Sequence, residues 1–203
     1  LIIGPFTRES LLKIKMFVRS KNIPTLTFSN DIAMVERNVW SLGFSPEEQV
    51  ESVVSCALKH GFNKFGIIVP DNLYGEIISN TSIDLISQNQ NNYFQKLLLS
   101  NEQLNNKEDL FYLLKQFLNF RGNEIISSKF DAIFLGGSKD FILEISPLLA
   151  FYNVDSKQTQ ILGTENFKIK DIRNEPSLEK SWFPIILDQN NKEFSTIWET
   201  AWG

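Results

Sequence analysis

The chain has 203 residues, 42% of them hydrophobic, and a net charge of −4, enough to bury the core of one large or two small domains. Acids and bases are interspersed without a basic stripe, which excludes a nucleic-acid footprint, and no apolar run approaches the roughly 20 residues that cross a bilayer as a helix. The single cysteine, Cys56, excludes an internal disulfide and a cysteine-based zinc site.

Strands and helices alternate along the chain. An apolar run at Leu1–Ile3 stops at Gly4-Pro5, and a helix follows from about Arg8 to Ser20. "NIPTLTFSND" reads as a strand, Thr25–Phe28, closed by the turn formers Ser29-Asn30-Asp31. "NVWSLGF" is a short extended piece. "SPEEQVESVVSCALKHG" is the clearest helix: Ser45 caps it, Pro46 opens it, Glu47 and Glu48 fill its first turn, and Gly61 ends it. Within it Val50, Val53, Val54, Ala57 and Leu58 repeat at the spacing of one buried face.

Further strands are predicted at Phe65–Val69, Tyr93–Leu99, Asp131–Leu135 and Gln160–Leu162. Helices are predicted between them, from about Tyr74 to Ser87, Lys107 to Phe120 and Lys139 to Phe151, and "SQNQNN" is a loop. A last amphipathic helix carries Phe194, Ile197, Trp198 and Ala201. Alternating elements of this length mean βα units, right-handed crossovers and parallel sheets. Near-continuous apolar strands such as "FGIIV" and "AIFL" fit sheets covered on both faces.

The strand-end loops, taken in order, are "IIGPF", "IPTLTFSND", "VWSLGFSPEEQVESVVSCALKHGFNKFGIIVPDNLYGE", "FDAIFLGG", "SPLLAFYNVD" and "ILGTENF". This series resembles the type I periplasmic-binding-protein superfamily, the leucine/isoleucine/valine-binding group. Within it the series looks like the penicillin-binding protein activators, outer-membrane lipoproteins with a periplasmic-binding-like domain. The resemblance covers nearly the whole chain and implies an α/β fold of two lobes with parallel doubly wound sheets, joined by crossing strands. Lobe one would be Leu1–Gly43 plus Trp182–Gly203, without the βαβα segment that precedes the "GP" strand in the family; lobe two would be Phe44–Ser181. Hinges are expected at Ser41–Phe44 and Ser181–Pro184. An apolar sheet edge is expected beside Leu1–Ile3, to be met by a homodimer contact, a swapped element or disorder.

Open α/β sheets take ligands outside the carboxyl ends of their strands. The resemblance accordingly implies cleft residues Thr7, Ser29 and Asn30 from lobe one, holding a carboxylate. It implies Tyr74, Ser138 and Glu165 from lobe two, with Tyr74 against the ligand and Glu165 pairing an ammonium. Each has a plain alternative. Thr7 also suits a helix cap, Ser29-Asn30-Asp31 a turn, and Gly136-Gly137 ahead of Ser138 a tight βα turn; Asp71 or Asn72 caps the helix that carries Tyr74. Glu165 also suits solvent, and the activator group usually has no acid there. His60, the only histidine, stands at a helix end where its charge suits the dipole. Trp198 and Trp202 are expected to pack on lobe one; their exposure would mark a partner surface.

The expected function is non-enzymatic and needs no cofactor or metal. One version is a receptor for an amino acid or similar small polar solute, working with an ABC transporter permease. The other is an activator-like module that contacts a cell-wall synthase. Both imply a periplasmic setting, with an outer-membrane anchor through a lipidated N-terminus outside this chain. An effector-binding domain of a regulator shares the fold. An enzyme on a Rossmann-like sheet is the remaining alternative, against which stand the missing G-x-G-x-x-G, G-x-x-x-x-G-K-[ST], G-x-S-x-G and H-E-x-x-H motifs.

Overall fold

The computed structural model describes residues 1–120, 129–154, 158–168, 175–185 and 189–202. They form two parallel sheets. The first has the order β1-β2-β3, from β1 (Ile2–Ile3), β2 (Thr25–Thr27) and β3 (Val39–Ser41). Between β1 and β2 runs α1 (Arg8–Lys21), capped by Thr7 and closed by Asn22 in the left-handed conformation at φ 51°. Its Leu11 and Val18 are buried with Met34 and Val39.

Register decides which side of this sheet is wet. Ile2, Thr25 and Val39 lie side by side, as do Ile3, Leu26 and Trp40. The first row contributes to the core under α1, whereas Ile3 is 67% and Trp40 48% exposed. Among the described residues β1 is an edge strand, and Leu1 beside it is exposed as well.

The second sheet has the order β5-β4-β6-β7, all parallel. Its strands are β4 (Lys64–Pro70), β5 (Tyr93–Leu99), β6 (Ala132–Leu135) and β7 (Gln160–Leu162). On one face Phe65, Ile67, Val69, Ala132, Phe134 and Leu162 meet α2 (Pro46–Lys59) and α3 (Leu73–Ile86) through Val50, Val53, Val54, Ala57, Ile78 and Ile86. On the other, Ile68, Ile133, Leu135 and Ile161 meet α5 (Lys107–Leu118) and α6 (Lys139–Phe151). Each fully buried Val, Leu, Ile or Phe here adds about 1.5–3 kcal/mol. The expectation of apolar strands covered on both sides therefore holds for this sheet.

Helix α2 starts as its sequence predicts. Ser45 accepts from the Glu48 N–H, the Glu48 carboxylate accepts from the Ser45 N–H, and Pro46 takes the first turn. A helix not foreseen is α4 (Asn101–Asn105), set by a second capping box between Ser100 and Gln103. Gly75 lets α3 lie against the end of β4: a Cβ there would stand 1.9 Å from the Pro70 carbonyl oxygen.

Residues 42–44 lead from the first sheet to α2. Gly43 rests on Asn30 so closely that a Cβ would come within 2.8 Å of its Cα. At the other end of the second unit, Trp182 pairs with β7. Its N–H donates to the Ile161 carbonyl and its own carbonyl accepts from Gly163 N, both at 2.8 Å. Its ring packs on Phe62 and His60, and Phe183 packs near Phe167. Trp182 and Phe183 thus pack against the second sheet. Helix α7 (Gln189–Trp202) follows, with Phe194, Ile197, Trp198 and Trp202 57–78% exposed. The Trp198 and Trp202 rings lie 6.2 Å apart, tilted by 38° to each other. No helix among the described residues is long and apolar enough to cross a membrane.

Candidate functional site

The carboxyl ends of the strands in the second sheet open onto a recess of about 660 Å³. Pro70, Asn72 and Tyr74 enter it from the turn between β4 and α3, and Asn101, Leu104 and Asn105 from α4. Ser138, Asp140, Phe141 and Glu144 enter from the start of α6, and Asn166 from the loop after β7. Asp140 and Glu144 are one helical turn apart, and none of the described residues lining the recess is a Lys or Arg. Its field is therefore negative and suits a cationic or hydrogen-bonding ligand group.

Several of these groups hold the walls. Asn72 caps α3 through Gly75 N, and Ser138 caps α6 through Phe141 N. The Asn166 amide donates to the Gly137 carbonyl at 2.8 Å, tying the loop after β7 to the loop after β6. The Tyr74 hydroxyl donates to Thr164 Oγ1 at 3.3 Å. Burial raises the Tyr74 pKa above its ordinary value; the Thr164 hydrogen bond works against that rise, and the negative charge of Glu165 adds to it. Tyr74 is thus a neutral donor throughout the physiological range.

Glu165 lies beside this group in a single 3₁₀ turn, Glu165–Lys168, with its side chain exposed. A residue not foreseen sets its position. Gln49 of α2, 2% exposed, accepts from Glu165 N at 2.9 Å through its side-chain oxygen. Its amide nitrogen donates to the Phe44 carbonyl at 3.1 Å and lies 3.5 Å from a Glu165 carboxylate oxygen. One buried amide therefore joins the segment leaving the first sheet to the loop that carries Glu165. The sequence does hold a signal for it: Gln49 stands one turn before Val53, beside the apolar stripe of α2.

The three candidates on the first sheet gather at one end of it. Thr7 Oγ1 accepts from Ser10 N at 3.3 Å and donates to Ser10 Oγ at 3.0 Å, so it works as a cap. Ser29 is buried: its N–H donates to Thr27 Oγ1, its carbonyl accepts from Ser41 Oγ at 2.6 Å, and its own Oγ accepts from Asp31 N. Asn30 is exposed. An Arg8–Asp31 ion pair at 2.7 Å fastens the two loops to each other. At the other sheet Tyr74 and Ser138 line the recess, while Glu165 acts on Tyr74 through its charge and does not line it. His60 has its Nδ1 2.8 Å from the Cys56 carbonyl and its ring against Trp182, at the far end of β4 from the recess.

Two parallel sheets with crossover helices, joined at residues 42–44, recur in solved structures. No protein-family model and no curated protein matches the sequence. A leucine binding protein, LivK, from Thermotoga maritima matches all of this chain and 57% of its own length, at 17% identity and a TM-score of 0.67. A solute binding protein of an ABC transporter from Rhodopseudomonas palustris, in complex with 3,4-dihydroxybenzoic acid, matches all of this chain and 55% of its own, at 13% identity and 0.62. The C-domain of LpoA from Haemophilus influenzae, a regulator of PBP1A, matches 98% of this chain and 60% of its own, at 15% identity and 0.59. The fold is that of the type I periplasmic binding proteins. This chain spans about half the length of the type I proteins it matches. A leucine binding protein and a regulator of PBP1A are thus both among these neighbours.

Proposed function

We propose that this chain is part of a non-enzymatic, periplasmic binding module that takes a small polar solute, such as an amino acid, between two type I lobes. The solute would then be passed to an ABC transporter permease. The observation that carries this reading is the recess of about 660 Å³ at the carboxyl ends of β4 to β7. It has the size of a small-ligand site and stands where open α/β sheets take ligands. In this reading Tyr74 contacts the ligand and Glu165 and the recess carboxylates receive its positive end. Ser138, through the start of α6, and the first-sheet loops of Thr7, Ser29 and Asn30 face it from either side.

A second reading is favoured by one observation. The exposed stripe of Phe194, Ile197, Trp198 and Trp202 on α7 is larger than scattered surface apolars require, and suits an activator that docks on a cell-wall synthase. Two measurements separate the readings. A thermal-shift panel of amino acids, amines and small organic acids is expected to give a hit. A ligand at about 100 times its Kd adds roughly 2.7 kcal/mol, a rise of a few degrees in Tm. Tyr74→Ala and Glu165→Ala abolish that shift. A well-folded protein that answers to no compound, and binds purified cell-wall synthase in a manner lost on Trp198→Asp, overturns the solute reading.

A further inference from the structure

The amino ends of β4, β6 and β7 enclose a second recess, of about 520 Å³, at the end of the sheet opposite the first. No residue that lines it lines the other. Its polar side chains include Asn63 and Lys64 at the start of β4, Asp131 before β6, and Gln158 and Gln160 at the start of β7; Phe62 supplies a ring. The volume falls in the range of small-ligand sites.

Exposed amides are ordinary on a surface, but several groups here are fixed in place. Asp131 uses one carboxylate oxygen, Oδ2, to accept from Asn63 N at 2.9 Å and from Lys64 N at 3.0 Å. Its Oδ1 has no hydrogen bond among the described residues and remains an acceptor. The Gln160 amide nitrogen donates to the Lys180 carbonyl at 2.7 Å and to the Ile161 carbonyl at 3.1 Å, which leaves its side-chain oxygen as a second acceptor. The half-buried Phe62 ring is stacked on Trp182, with centroids 5.8 Å apart. These groups have little freedom to lose when a ligand arrives, which is what preorganisation contributes to affinity.

Charge narrows the ligand. Lys64 and Asp131 bring one charge of each sign, so the lining is neutral as a whole. The crossover helices of this parallel sheet end on this side, and the partial negative charge of their carboxyl termini disfavours an anion. The Lys64 ammonium disfavours a cation. What remains is a neutral molecule that meets donors and acceptors side by side. Hydroxyl groups do so, because each donates and accepts. A sugar ring carries them on adjacent carbons, and its C–H face can lie on the Phe62 ring.

We propose that this recess is a second binding site, which takes a neutral saccharide. The site is independent of the solute reading above and stands if that reading fails.

Nuclear magnetic resonance titration of the isotope-labelled full chain tests it, with maltotriose and chitotriose as neutral saccharides and with citrate and spermidine as charged controls. Saturable shifts in the millimolar range are expected with at least one saccharide, at the Asn63, Gln158 and Gln160 side-chain amides, and with neither control. Lys64→Ala and Gln158→Ala remove exposed side chains. Each is expected to weaken saccharide binding about threefold to tenfold, the scale of one hydrogen bond, with the melting temperature unchanged. Asp131→Asn keeps an oxygen for the two backbone N–H groups but turns the free acceptor into a donor, and is expected to weaken binding at least as much. Saccharide shifts confined to Tyr74, Ser138 and Asn166 put the sugar in the other recess and overturn the second site. Binding untouched by both Lys64→Ala and Gln158→Ala overturns it too. Citrate or spermidine shifting the same amides as strongly overturns the neutral assignment. No saturable shift with either saccharide overturns the proposal, whatever the thermal-shift panel shows.

Discussion

The two sheets are made from the same βα unit and are finished differently. In the second, successive residues of β4 and β6 point alternately into two cores, and four long helices cover both faces. In the first, α1 covers one face through Leu11 and Val18, while Ile3 and Trp40 look out on the other. Helix α1 itself leaves Leu12, Met16 and Phe17 45–75% exposed. Apolar content is therefore similar in the two regions, but its burial is not, and stability is concentrated in the second.

The sharpest way to break that contrast is a matched pair of truncations. Phe134→Ala, at a side chain 1% exposed between β6 and α3, is expected to cost about 3–5 kcal/mol in urea unfolding. Trp40→Ala, on the open face, is expected to cost under about 0.5 kcal/mol. Comparable costs would mean that the Ile3–Leu26–Trp40 face is covered in solution.

A smaller effect addresses the junction between the regions. Gln49→Ala leaves the Phe44 carbonyl and the Glu165 N–H without their buried partner, a loss of about 1–3 kcal/mol. If Gln49 also sets the position of Glu165, ligand affinity falls with stability. An affinity unchanged in Gln49→Ala despite the lost stability would mean that Gln49 holds the junction without setting Glu165.

The smallest effect is read by pH. Because Tyr74 has a raised pKa, caused first by burial and then by Glu165, the folded state favours the neutral phenol. Its contribution is fully present below the unfolded value of 10.0 and is lost as pH climbs through the folded one. The stability of Tyr74→Phe relative to wild type is therefore expected to improve above about pH 10. A constant gap across that range would mean that Tyr74 is not held neutral by its surroundings.

Much of the second region was legible in the residues. Strand β5 and helix α6 fall where turn formers and apolar periodicity place them, because long runs bracketed by Asn and Ser leave little choice of register. Helix α4 was not legible from periodicity, since five residues complete little more than one turn; its mark was the Ser100–Gln103 capping box. The pairing of Trp182 with β7 joins residues about 20 apart in sequence without a turn signal between them, and such non-local contacts leave no local pattern. The open face of the first sheet was hidden for another reason. Strands of two or three residues are too short for alternation to say which side chains are wet. At the site, Tyr74 and Ser138 were readable as strand-end residues, whereas Gln49 and Thr164 act through partners on distant elements.

The strand order carries a consequence for how the chain comes into being. β5 pairs with β4, which precedes it; β6 pairs with β4; β7 pairs with β6; and Trp182 pairs with β7. In the first sheet too, each strand pairs with the one before it. Among the described residues, each strand after the first of its sheet pairs with one already synthesised. A chain emerging from the ribosome at about 5–20 residues per second can thus lay down each sheet from a founding strand, with the segment at 42–44 separating two rounds of growth. Arrested nascent chains just long enough for β5 to clear the ribosome are accordingly expected to protect β4 and β5 from proteolysis before β6 pairs.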